Sequence, residues 1–481
     1  MDKFRNPGNN EPARMSQPNA FAEFETKMRN ARVSPAAIRA FQHSYENLAA
    51  GGTGMRPESS LQPVTELPRF EGIARQSVPN TALLAQAIVL KLNGGLGTGM
   101  GLEKAKSLLP LKDGLTFLDF IARQILHLRE KHHSPLRFLL MNSFSTSRDT
   151  LDFLKKYPAL GDPAQLELMQ SAAPKVDAQT LRPIAWPRQP EHEWCPPGHG
   201  DLYPSLLGSG WLDRLLADGV KYLFVSNSDN LGASLDLDLL AWFAASNQPF
   251  LMEVCERTAS DRKGGHLAQS NRKLLLRESA QCPEADQPAF QDIQRHRFFN
   301  TNNLWLRLDE LKKLLDAQGG FIPLPIIKNA KTVDPRDKNS PKVFQLETAM
   351  GAAIECFDRA GAIVVPRSRF APVKTTSDLM ALRSDAYEVT DDWRLVLSHA
   401  CQGIPPTIDL DADHYKMVDQ LDAALAGGVP SLAQCRELTV RGRVHFSAQN
   451  AFAGRVSLLN KSAIPQTLSP GNYRDETKEW L

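Results

Sequence analysis

A loop with five glycines, residues 94–101, directly follows an apolar run of strand type at 87–92. Lys104 and Lys106 come soon after this loop. Glycine lets backbone N–H groups approach a phosphate chain without a Cβ in the way, and lysines at the exit of the loop supply the counter-charge. The pattern predicts a phosphate cradle at the carboxyl end of a strand, which indicates a nucleotide enzyme. The alternative is an ordinary turn between a strand and a helix, which the five glycines and two lysines disfavour.

The spacing of these glycines excludes the two commonest phosphate loops. The dinucleotide fingerprint requires G-x-G-x-x-G, whereas Gly95, Gly97 and Gly99 are followed by Met100. The P-loop string G-x-x-x-x-G-K-[ST] does not occur in the chain. We therefore expect a glycine-rich nucleotide loop of a third kind.

A second apolar run of strand type, 220–226, ends in small polar side chains that include Asn227 and Asp229. In open α/β sheets, ligands bind beyond the carboxyl ends of the strands. Asp229 is a candidate Mg²⁺ ligand, because magnesium favours one or two carboxylates together with phosphates and waters. Asn227 can donate and accept hydrogen bonds with a ligand hydroxyl. The alternative is a polar turn in which Asp229 or Asn230 caps the next helix.

Three further segments carry side chains suited to a ligand. His199 lies between two glycines in Pro196–Asp201, and we favour a binding role over general base catalysis, since a titrating histidine needs a demonstrated partner. Three amides at 300–303 suit a ligand with many hydroxyl groups, and an Asn-rich turn is the alternative. The stiff segment 365–376 carries three cations, of which Lys374 looks placed to meet a phosphate. A solvated basic surface is the alternative there.

Apolar strands and amphipathic helices alternate from about Leu84 to about Asp385 and must position these residues. The alternation predicts an α/β fold with a mostly parallel, mixed sheet and helices on both faces. The predicted strands are 87–92, 137–141, 220–226, 250–255 and 301–308, and the predicted helices are 116–129, 146–156, 237–245 and 346–357. After Asp385 the alternation fades, and short glycine-broken pieces at 438–452 predict a small β element, such as a few coils of a solenoid.

Length and charge narrow the class of protein. The 481 residues are enough for two or three domains. Hydrophobic residues make up 42% and charged residues 23%, as in ordinary soluble globular proteins. The net charge of +2 argues against a general nucleic-acid binder, which needs a marked basic excess. A small anionic ligand bound by a few lysines remains compatible with this balance.

Cysteine usage and the N-terminal segment indicate the compartment. The six cysteines are scattered without a C-x-x-C pair, which fits neither a zinc site nor a disulfide framework and predicts reduced thiols in a cytoplasm. Residues 1–18 lack the apolar core of a signal peptide and are expected to be disordered. No stretch is long enough to span a membrane, so we expect a cytoplasmic protein without a membrane partner. Residues 21–48 predict one or two amphipathic helices, with Ser34 as N-cap and Pro35 as first helical residue.

Six strings taken together resemble the eukaryotic-type UTP–glucose-1-phosphate uridylyltransferases, also called UDP-glucose pyrophosphorylases. They occur in the order of that family between about residues 84 and 390, at 92–98, 196–201, 225–232, 300–305, 345–349 and 367–378. The resemblance implies a Rossmann-like nucleotidyltransferase domain followed by a small C-terminal left-handed β-helix. We accordingly expect a flexible or helical segment at 1–75, a catalytic domain at 76–390 and a C-terminal domain at 391–481.

The resemblance also implies roles for single residues. Those implied to bind UTP are Leu92, Asn93, Gly94, Gly95, Lys106, Gln170, Gly198, Asp229 and Lys374. Those implied to bind the sugar phosphate are His199, Asn227, Asn302 and, from weaker matches, Glu278 and Gly265. Lys106 and Lys374 are implied to be catalytic, and Asp229 is implied to be a Mg²⁺ ligand. The segment 102–106 departs from many members, which have a glycine-proline pair before the final lysine, although Lys106 itself fits.

The implied reaction joins UTP and glucose 1-phosphate to give UDP-glucose and pyrophosphate, reversibly and with Mg²⁺. The sugar phosphate is already an anionic nucleophile, so catalysis rests on aligning two anions and neutralising charge at the α-phosphate. The expected partners are therefore two small molecules. The alternatives are a pyrophosphorylase of different or broader sugar range, a non-catalytic nucleotide-sugar sensor and a glycosyltransferase. The sequence leaves the oligomeric state open.

Overall fold

The computed structural model describes residues 20–74, 79–258 and 261–481. The expected disorder of residues 1–18 lies outside these ranges. The α-helices are α1 Ala20–Asn30, α2 Pro35–Ala49, α3 Phe70–Ala74, α4 Phe117–His132, α5 Ser147–Leu154, α6 Leu202–Gly208, α7 Trp211–Ala217, α8 Leu237–Ser246, α9 Gln287–Phe290, α10 Leu308–Ala317, α11 Thr376–Arg383, α12 Ala412–Tyr415 and α13 Val418–Ala424.

A large sheet forms the centre of the molecule. Its strands are β1 Gln62–Pro63, β2 Ala87–Asn93, β3 Arg137–Asn142, β4 Glu167–Met169, β5 Tyr222–Asn227, β6 Phe250–Glu256, β7 His266–Ser270, β8 Lys273–Arg277, β9 Phe298–Arg307 and β10 Gly361–Val364. The main path runs β1-β7-β9-β5-β2-β3-β4, with β6 joining β9 to β10 and β8 pairing with β7.

Most strands of this sheet run in one direction. Strands β5, β2, β3 and β4 are parallel neighbours, and β10 is parallel to β6. Strand β9 is antiparallel to β5, β6 and β7, so these three share the direction of the parallel group. The predicted mixed α/β fold with a mostly parallel sheet is therefore confirmed.

Apolar residues on both sides of β2 explain why helices cover both faces. Residues 87–90 are at most 1% exposed. Val89 packs in the cluster that contains the buried faces of α4 and α8, whereas Ile88 and Leu90 pack in the cluster that contains those of α6, α7 and α10. Successive side chains of a strand point to opposite faces, and a strand buried on both faces is typical of an interior parallel strand.

The predicted helix at 346–357 is wrong. Residues Lys342–Thr348 form a strand that pairs with Ile326–Thr332 and with Val176–Asp177, and a 3₁₀ turn at Met350–Glu355 follows. The apolar spacing in this stretch is compatible with a helix, but seven ladder pairs with 326–332 outweigh that local preference. Thr348 also donates its backbone N–H to the Pro197 carbonyl at 2.9 Å, which places this strand beside the 196–201 segment.

The N-terminal helices and the C-terminal strands flank the central sheet. Ser34 caps α2 by accepting from the Ala37 N–H at 3.2 Å, and Pro35 is the first helical residue, as predicted. In the C-terminal region, strands β11 Thr407–Leu410, β12 Ser431–Arg441, β13 Asn450–Asn460, β14 Gly471–Arg474 and β15 Thr477–Trp480 pair only in parallel within the described residues. No described helix is long and apolar enough to cross a bilayer.

Candidate functional site

The carboxyl ends of β2 and β5 bring the two strongest sequence motifs together. Asn227, the last residue of β5, lies beside Leu92 in parallel register. The Ser228 N–H donates to the Leu92 carbonyl at 3.0 Å, so the polar turn after β5 runs along the start of the glycine-rich loop. The predicted phosphate loop and the predicted metal residue therefore share one edge of the sheet.

The glycine-rich loop folds back on itself after β2. Gly97 and Gly101 have φ values of 70° and 77°, a left-handed conformation that glycine adopts at little cost. The Lys106 N–H donates to the Gly95 carbonyl at 3.1 Å, which closes the loop. Asn93 is 2% exposed and donates its amide to Asn142 Oδ1 at 2.7 Å, so its side chain is engaged within the protein.

Lys106 and Asp229 form an ion pair at this edge. The Lys106 ammonium lies 2.7 Å from Asp229 Oδ2 and also donates to the Val373 carbonyl. The other carboxylate oxygen of Asp229, Oδ1, is buried and has no hydrogen-bond partner among the described residues. The next helix, α8, is capped by Asp236 and not by Asp229 or Asn230. The capping alternative is therefore wrong, and Asp229 Oδ1 remains available as an acceptor.

The three cations of segment 365–376 differ in their partners. Arg367 pairs with Asp261 through two hydrogen bonds of 2.8 and 2.9 Å. Arg369 is 7% exposed and pairs in the same bidentate way with the fully buried Glu253, at 2.8 and 2.7 Å. Lys374 is exposed, and no described carboxylate oxygen lies within 4.0 Å of its ammonium. It is the cation of this segment that remains available to an anionic ligand.

Buried amides fasten this segment to the polar turn after β5. Asn230 accepts from the Ala371 N–H at 3.0 Å and donates to the Arg369 carbonyl at 3.1 Å. Asn303 also donates to the Arg369 carbonyl, at 3.3 Å, and to Glu253 Oε2 at 3.0 Å. Paired buried polar groups of this kind specify one arrangement, because each would be costly if left unsatisfied. The arrangement holds Lys374 close to Lys106 through the adjacent Val373 carbonyl.

Gln170, Gly94 and Gly198 meet on the other side of the loop. Gln170 donates its amide to the Gly198 carbonyl at 2.9 Å, and its Oε1 lies 2.7 Å from where a Cβ on Gly94 would stand. Gly198 has φ 80°, and a Cβ there would lie 2.5 Å from the Thr348 carbonyl. Glycine is required at Gly198 for both reasons. The 196–201 segment thus packs on the strand Lys342–Thr348, whose last residues fall in the stretch predicted to be a helix.

His199 is held in one tautomer. Its Nδ1 accepts from the Met350 N–H at 3.0 Å, so Nε2 carries the proton and is the ring nitrogen that can donate. Burial lowers the pKa of His199 to about 4. Burial also raises the pKa of the nearby Asp201 to about 6, and this carboxyl accepts from the Ser171 N–H at 2.7 Å. A neutral imidazole that donates from Nε2 suits binding better than proton abstraction.

Asn302 and Glu278 lie at a third side of the site. Asn302 has φ 58° in an irregular part of β9, and it exchanges hydrogen bonds of 2.9 and 3.0 Å with Asn300. The Glu278 carboxylate lies 2.5 Å from where a Cβ on Gly265 would stand. Burial raises the pKa of Glu278, whereas the charge of Lys374 lowers it. Glu278 and Lys374 therefore lie close enough for their charges to interact.

Two buried residues near the site were missed by the sequence analysis. Lys91 is 1% exposed and donates to Ser226 Oγ at 2.7 Å and to the Ala233 carbonyl at 2.5 Å. Burial, with a smaller effect from Arg369, lowers its pKa to about 7. A lysine within an otherwise apolar strand was the available signal. Glu253, which binds Asn303 and Arg369, is likewise a charged residue within an otherwise apolar strand, β6.

Known proteins include clear relatives of this chain. The profile of the UTP–glucose-1-phosphate uridylyltransferase family matches residues 39–452. The chain belongs to this family. Among curated relatives, the potato (Solanum tuberosum) UTP–glucose-1-phosphate uridylyltransferase is 40% identical over 417 residues, covering 86% of this chain and 83% of the relative. The Saccharomyces cerevisiae protein of the same name is 40% identical over 395 residues, covering 82% and 78%.

Solved structures of the family superpose closely on this chain. A mutant UDP-glucose pyrophosphorylase of Leishmania major, in complex with UDP-glucose, is 50% identical with a TM-score of 0.92. The alignment covers 96% of this chain and 100% of that one. A Trypanosoma brucei structure named UDP-glucose phosphorylase is 51% identical with a TM-score of 0.90, covering 96% and 100%. Membership of this family makes the protein a nucleotidyltransferase enzyme.

Proposed function

We propose that the protein transfers UMP from UTP to glucose 1-phosphate, giving UDP-glucose and pyrophosphate in a reversible reaction. The observation that carries the proposal is the convergence of Lys106, Asp229 and Lys374 beside a glycine-rich loop in a chain of this family. Its relatives at about 40% identity are named for this activity.

The chemistry needs alignment and charge neutralisation more than acid or base catalysis. A phosphate oxygen of glucose 1-phosphate attacks the α-phosphorus of UTP, and pyrophosphate leaves from the opposite side. Two cations, Lys106 and Lys374, would reduce the repulsion between the two anions and stabilise charge that develops in the transition state. Backbone N–H groups of the 92–95 segment would bind phosphate oxygens, as glycine-rich loops do in other nucleotide enzymes.

We assign a Mg²⁺ role to Asp229. Its Oδ1 is buried without a partner among the described residues, and Mg²⁺ is bound by one or two carboxylates plus substrate phosphates. No cluster of three or more possible metal-binding side chains occurs in the described ranges, so phosphate oxygens and waters would complete the coordination. The ion would supply charge neutralisation on the phosphates when bound.

The base and the sugar are assigned to different sets of residues around the loop. Gln170 and Gly198 would bind the uracil edge, because the 2.9 Å hydrogen bond from Gln170 Nε2 to the Gly198 carbonyl fixes the amide while its Oε1 can still accept. Asn227, Asn302 and His199 would bind the sugar phosphate, with Glu278 beside Gly265 contacting hydroxyl groups. Lys374, whose ammonium lies 5.9 Å from the centre of the Phe299 ring, would contact the reacting phosphate.

Finer features of fold and location are also proposals. The C-terminal parallel strands would wind as a left-handed β-helix, which the parallel ladders of β11 to β15 support. The domain divisions 1–75, 76–390 and 391–481 and a cytoplasmic location remain expectations. Six free cysteines support the reducing compartment.

Pyrophosphate release from UTP tests the proposal. We would offer glucose 1-phosphate, galactose 1-phosphate and N-acetylglucosamine 1-phosphate separately, with and without Mg²⁺. Release with glucose 1-phosphate alone is expected. Comparable release with several sugars would replace the proposal by a pyrophosphorylase of broader range. No release with any sugar, from folded protein, would contradict the enzyme activity and favour a sensor or a glycosyltransferase.

A further inference from the structure

A cluster of arginine and histidine side chains surrounds Glu58, outside the residues assigned to the reaction. Glu58 begins a short 3₁₀ turn near the N-terminus, Glu58–Ser60. Its carboxylate accepts from Arg277 Nη1 at 2.6 Å and from Arg295 Nε at 2.7 Å, and lies 3.0 Å from His296 Nε2. Three side chains therefore converge on one acid, each from 219 or more residues away in the sequence.

The cluster is buried and extends further. The side chains of Arg277, His266 and His296 are fully buried, at 0% exposure. The rings of His266 and His296 stack with centroids 3.9 Å apart and planes 22° apart. Asp286 accepts from the Glu58 N–H at 2.7 Å and from Arg277 Nη2 at 3.3 Å. The network therefore runs from buried side chains to the surface, where Arg295 is 43% exposed.

Glu58 makes the shorter of the two carboxylate contacts that compensate the burial of Arg277, and Asp286 makes the longer one. A buried charge without a partner is strongly destabilising, whereas a paired and hydrogen-bonded one is not. Burial alone would raise the pKa of Glu58, but hydrogen bonds from Arg295 and His296 outweigh it and hold the pKa below its usual range. The carboxylate is therefore ionised when it binds Arg277, and the position of Arg277 depends on it.

The cluster lies on one face of the β7–β8 hairpin, at the end farthest from the turn that joins the two strands. His266 and Arg277 face each other in the antiparallel ladder. Gly265 precedes His266, and Glu278 follows Arg277. The two residues are in contact, since a Cβ built on Gly265 would lie 2.5 Å from Glu278 Oε2. Neighbouring residues of a strand point to opposite faces. The cluster side therefore backs the side that carries the proposed sugar contacts.

The end of this hairpin also sets the position of the asparagines. The Gly265 carbonyl accepts from the Asn300 N–H at 3.1 Å. Asn300 in turn exchanges two hydrogen bonds with Asn302, whose backbone is left-handed. A displacement of the hairpin end would therefore move both Glu278 and Asn302, which are the proposed hydroxyl-binding groups.

We propose that Glu58 is a positioning residue for the sugar 1-phosphate, acting through Arg277 on the hairpin end that carries Gly265 and Glu278. The inference rests on the proposed function, because it takes the sugar to bind at Glu278 and Asn302. Glu58 itself touches neither substrate. It links a segment near the N-terminus, whose role the sequence left open, to the half of the site that distinguishes one sugar from another.

Steady-state kinetics of Glu58→Gln test the proposal. The variant keeps the size of the side chain and removes its charge, so Arg277 loses the shorter of its two carboxylate contacts and keeps only that with Asp286. We expect KM for glucose 1-phosphate to rise about tenfold, with KM for UTP within about twofold of the unmodified protein. Glu58→Asp, which keeps the charge, should restore part of the affinity. Should Glu58→Gln fail to fold, the same comparison of the two KM values in Glu58→Asp decides.

Glu355→Gln is the matched control. Arg56 from the same N-terminal segment binds Glu355 at 2.8 Å, so this variant weakens the docking of the segment without touching the cluster behind the hairpin. We expect its KM for glucose 1-phosphate to stay within about twofold. An equal rise in both variants, a rise in both KM values of Glu58→Gln, or no rise at all would overturn the proposal.

Glu278→Ala separates a failure of this inference from a failure of the proposed sugar contact. If Glu278→Ala leaves KM for glucose 1-phosphate unchanged, the sugar is wrongly placed. If Glu278→Ala raises that KM and Glu58→Gln does not, only the positioning role is wrong. When both raise it, the double variant should show much less than the product of the two effects, because Glu58 acts through the hairpin that carries Glu278.

Discussion

The phosphate side and the sugar side of the site are built in different ways. On the phosphate side, Lys106 has one carboxylate partner and Lys374 is exposed without one among the described residues. On the sugar side, Asn302 and Glu278 are backed by buried groups that include Arg277, which is 0% exposed and bound to the carboxylates of Glu58 and Asp286. The side proposed for the phosphates thus offers available charges, and the side proposed for the sugar offers fixed hydrogen-bonding groups.

This difference follows from the range of the two interactions. The attraction between opposite charges falls slowly with distance, so a lysine on a flexible stem can follow a phosphate through the reaction. A hydrogen bond weakens steeply when its distance or angle is wrong, so recognition of hydroxyl groups needs donors and acceptors held in place. We therefore expect variants on the phosphate side to change turnover, and variants on the sugar side to change affinity for the sugar phosphate.

The largest expected effect is that of Lys374→Ala. We expect kcat to fall by about two to three orders of magnitude with the fold intact, because the ammonium is proposed to act on charge that develops in the transition state. Lys374 is exposed, so its loss removes little packing. Steady-state kinetics and a thermal unfolding curve check both parts.

Lys416→Ala is the control for that prediction. Lys416 is also exposed and follows α12, which packs near Lys374 through the hydrogen bond from Thr376 to the Tyr415 carbonyl. Its removal should leave kcat unchanged. Turnover in Lys374→Ala equal to that of Lys416→Ala would remove Lys374 from the mechanism.

Asp229→Asn sharpens the comparison on the metal. The amide keeps the shape of the side chain but loses the charge and one oxygen, so about tenfold more Mg²⁺ should be needed for half-maximal activity. A Mg²⁺ titration of pyrophosphate release measures this. Asp236→Asn, at the N-cap of α8, is the control and should leave the Mg²⁺ titration unchanged, because asparagine caps a helix about as well as aspartate. Identical titrations for the parent and Asp229→Asn would contradict the ligand role.

Gln170→Ala examines the base side, where a fixed amide is expected to behave like the sugar side. Loss of the hydrogen bond to Gly198 and of the proposed uracil contact should raise KM for UTP by about tenfold and leave KM for glucose 1-phosphate nearly unchanged. The exposed Gln165, which accepts from Arg214 on the same side of the molecule, gives the control variant Gln165→Ala. A lower kcat with both KM values unchanged would show that Gln170 acts on the reaction and not on binding.

The last expected effect is on the stability of the fold against pH and not on the reaction. Burial, with the neighbouring His296, lowers the pKa of His266 to about 2. The folded state therefore binds fewer protons than the unfolded state, so this stability is complete above the unfolded pKa near 6.5 and is lost as pH falls below it. Between about pH 7.5 and about pH 5 the loss is about 2 kcal/mol.

Denaturant unfolding at the two pH values measures that loss. His266→Gln should unfold with a weaker dependence on pH, since the group that resists protonation is absent. His414→Gln, on the short helix α12, should keep the dependence of the parent. An unchanged dependence in His266→Gln would contradict the assignment to His266.

Local patterns account for the features that were predicted correctly. The glycine-rich loop after β2, the polar turn with Asp229 after β5, and the alternation of strands and helices are each encoded by a few neighbouring residues. Because parallel strands place their carboxyl ends at one edge, the sequence could also predict that the loop and Asp229 lie together. The Ser34 cap of α2 is equally local.

Tertiary structure alone decided the remaining features, because they depend on partners distant in the chain. The strand at 342–348 follows from pairing with 326–332, which outweighs the helical spacing of its apolar residues. The partners of Lys91 and Glu253 are similarly distant. Glu58 lies 219 residues from Arg277, and nothing in the sequence near either residue identifies the other. The sequence determined which groups could do the chemistry. The packing of the chain decided which of them are held by buried partners and which, like Lys374, remain available to an anionic ligand.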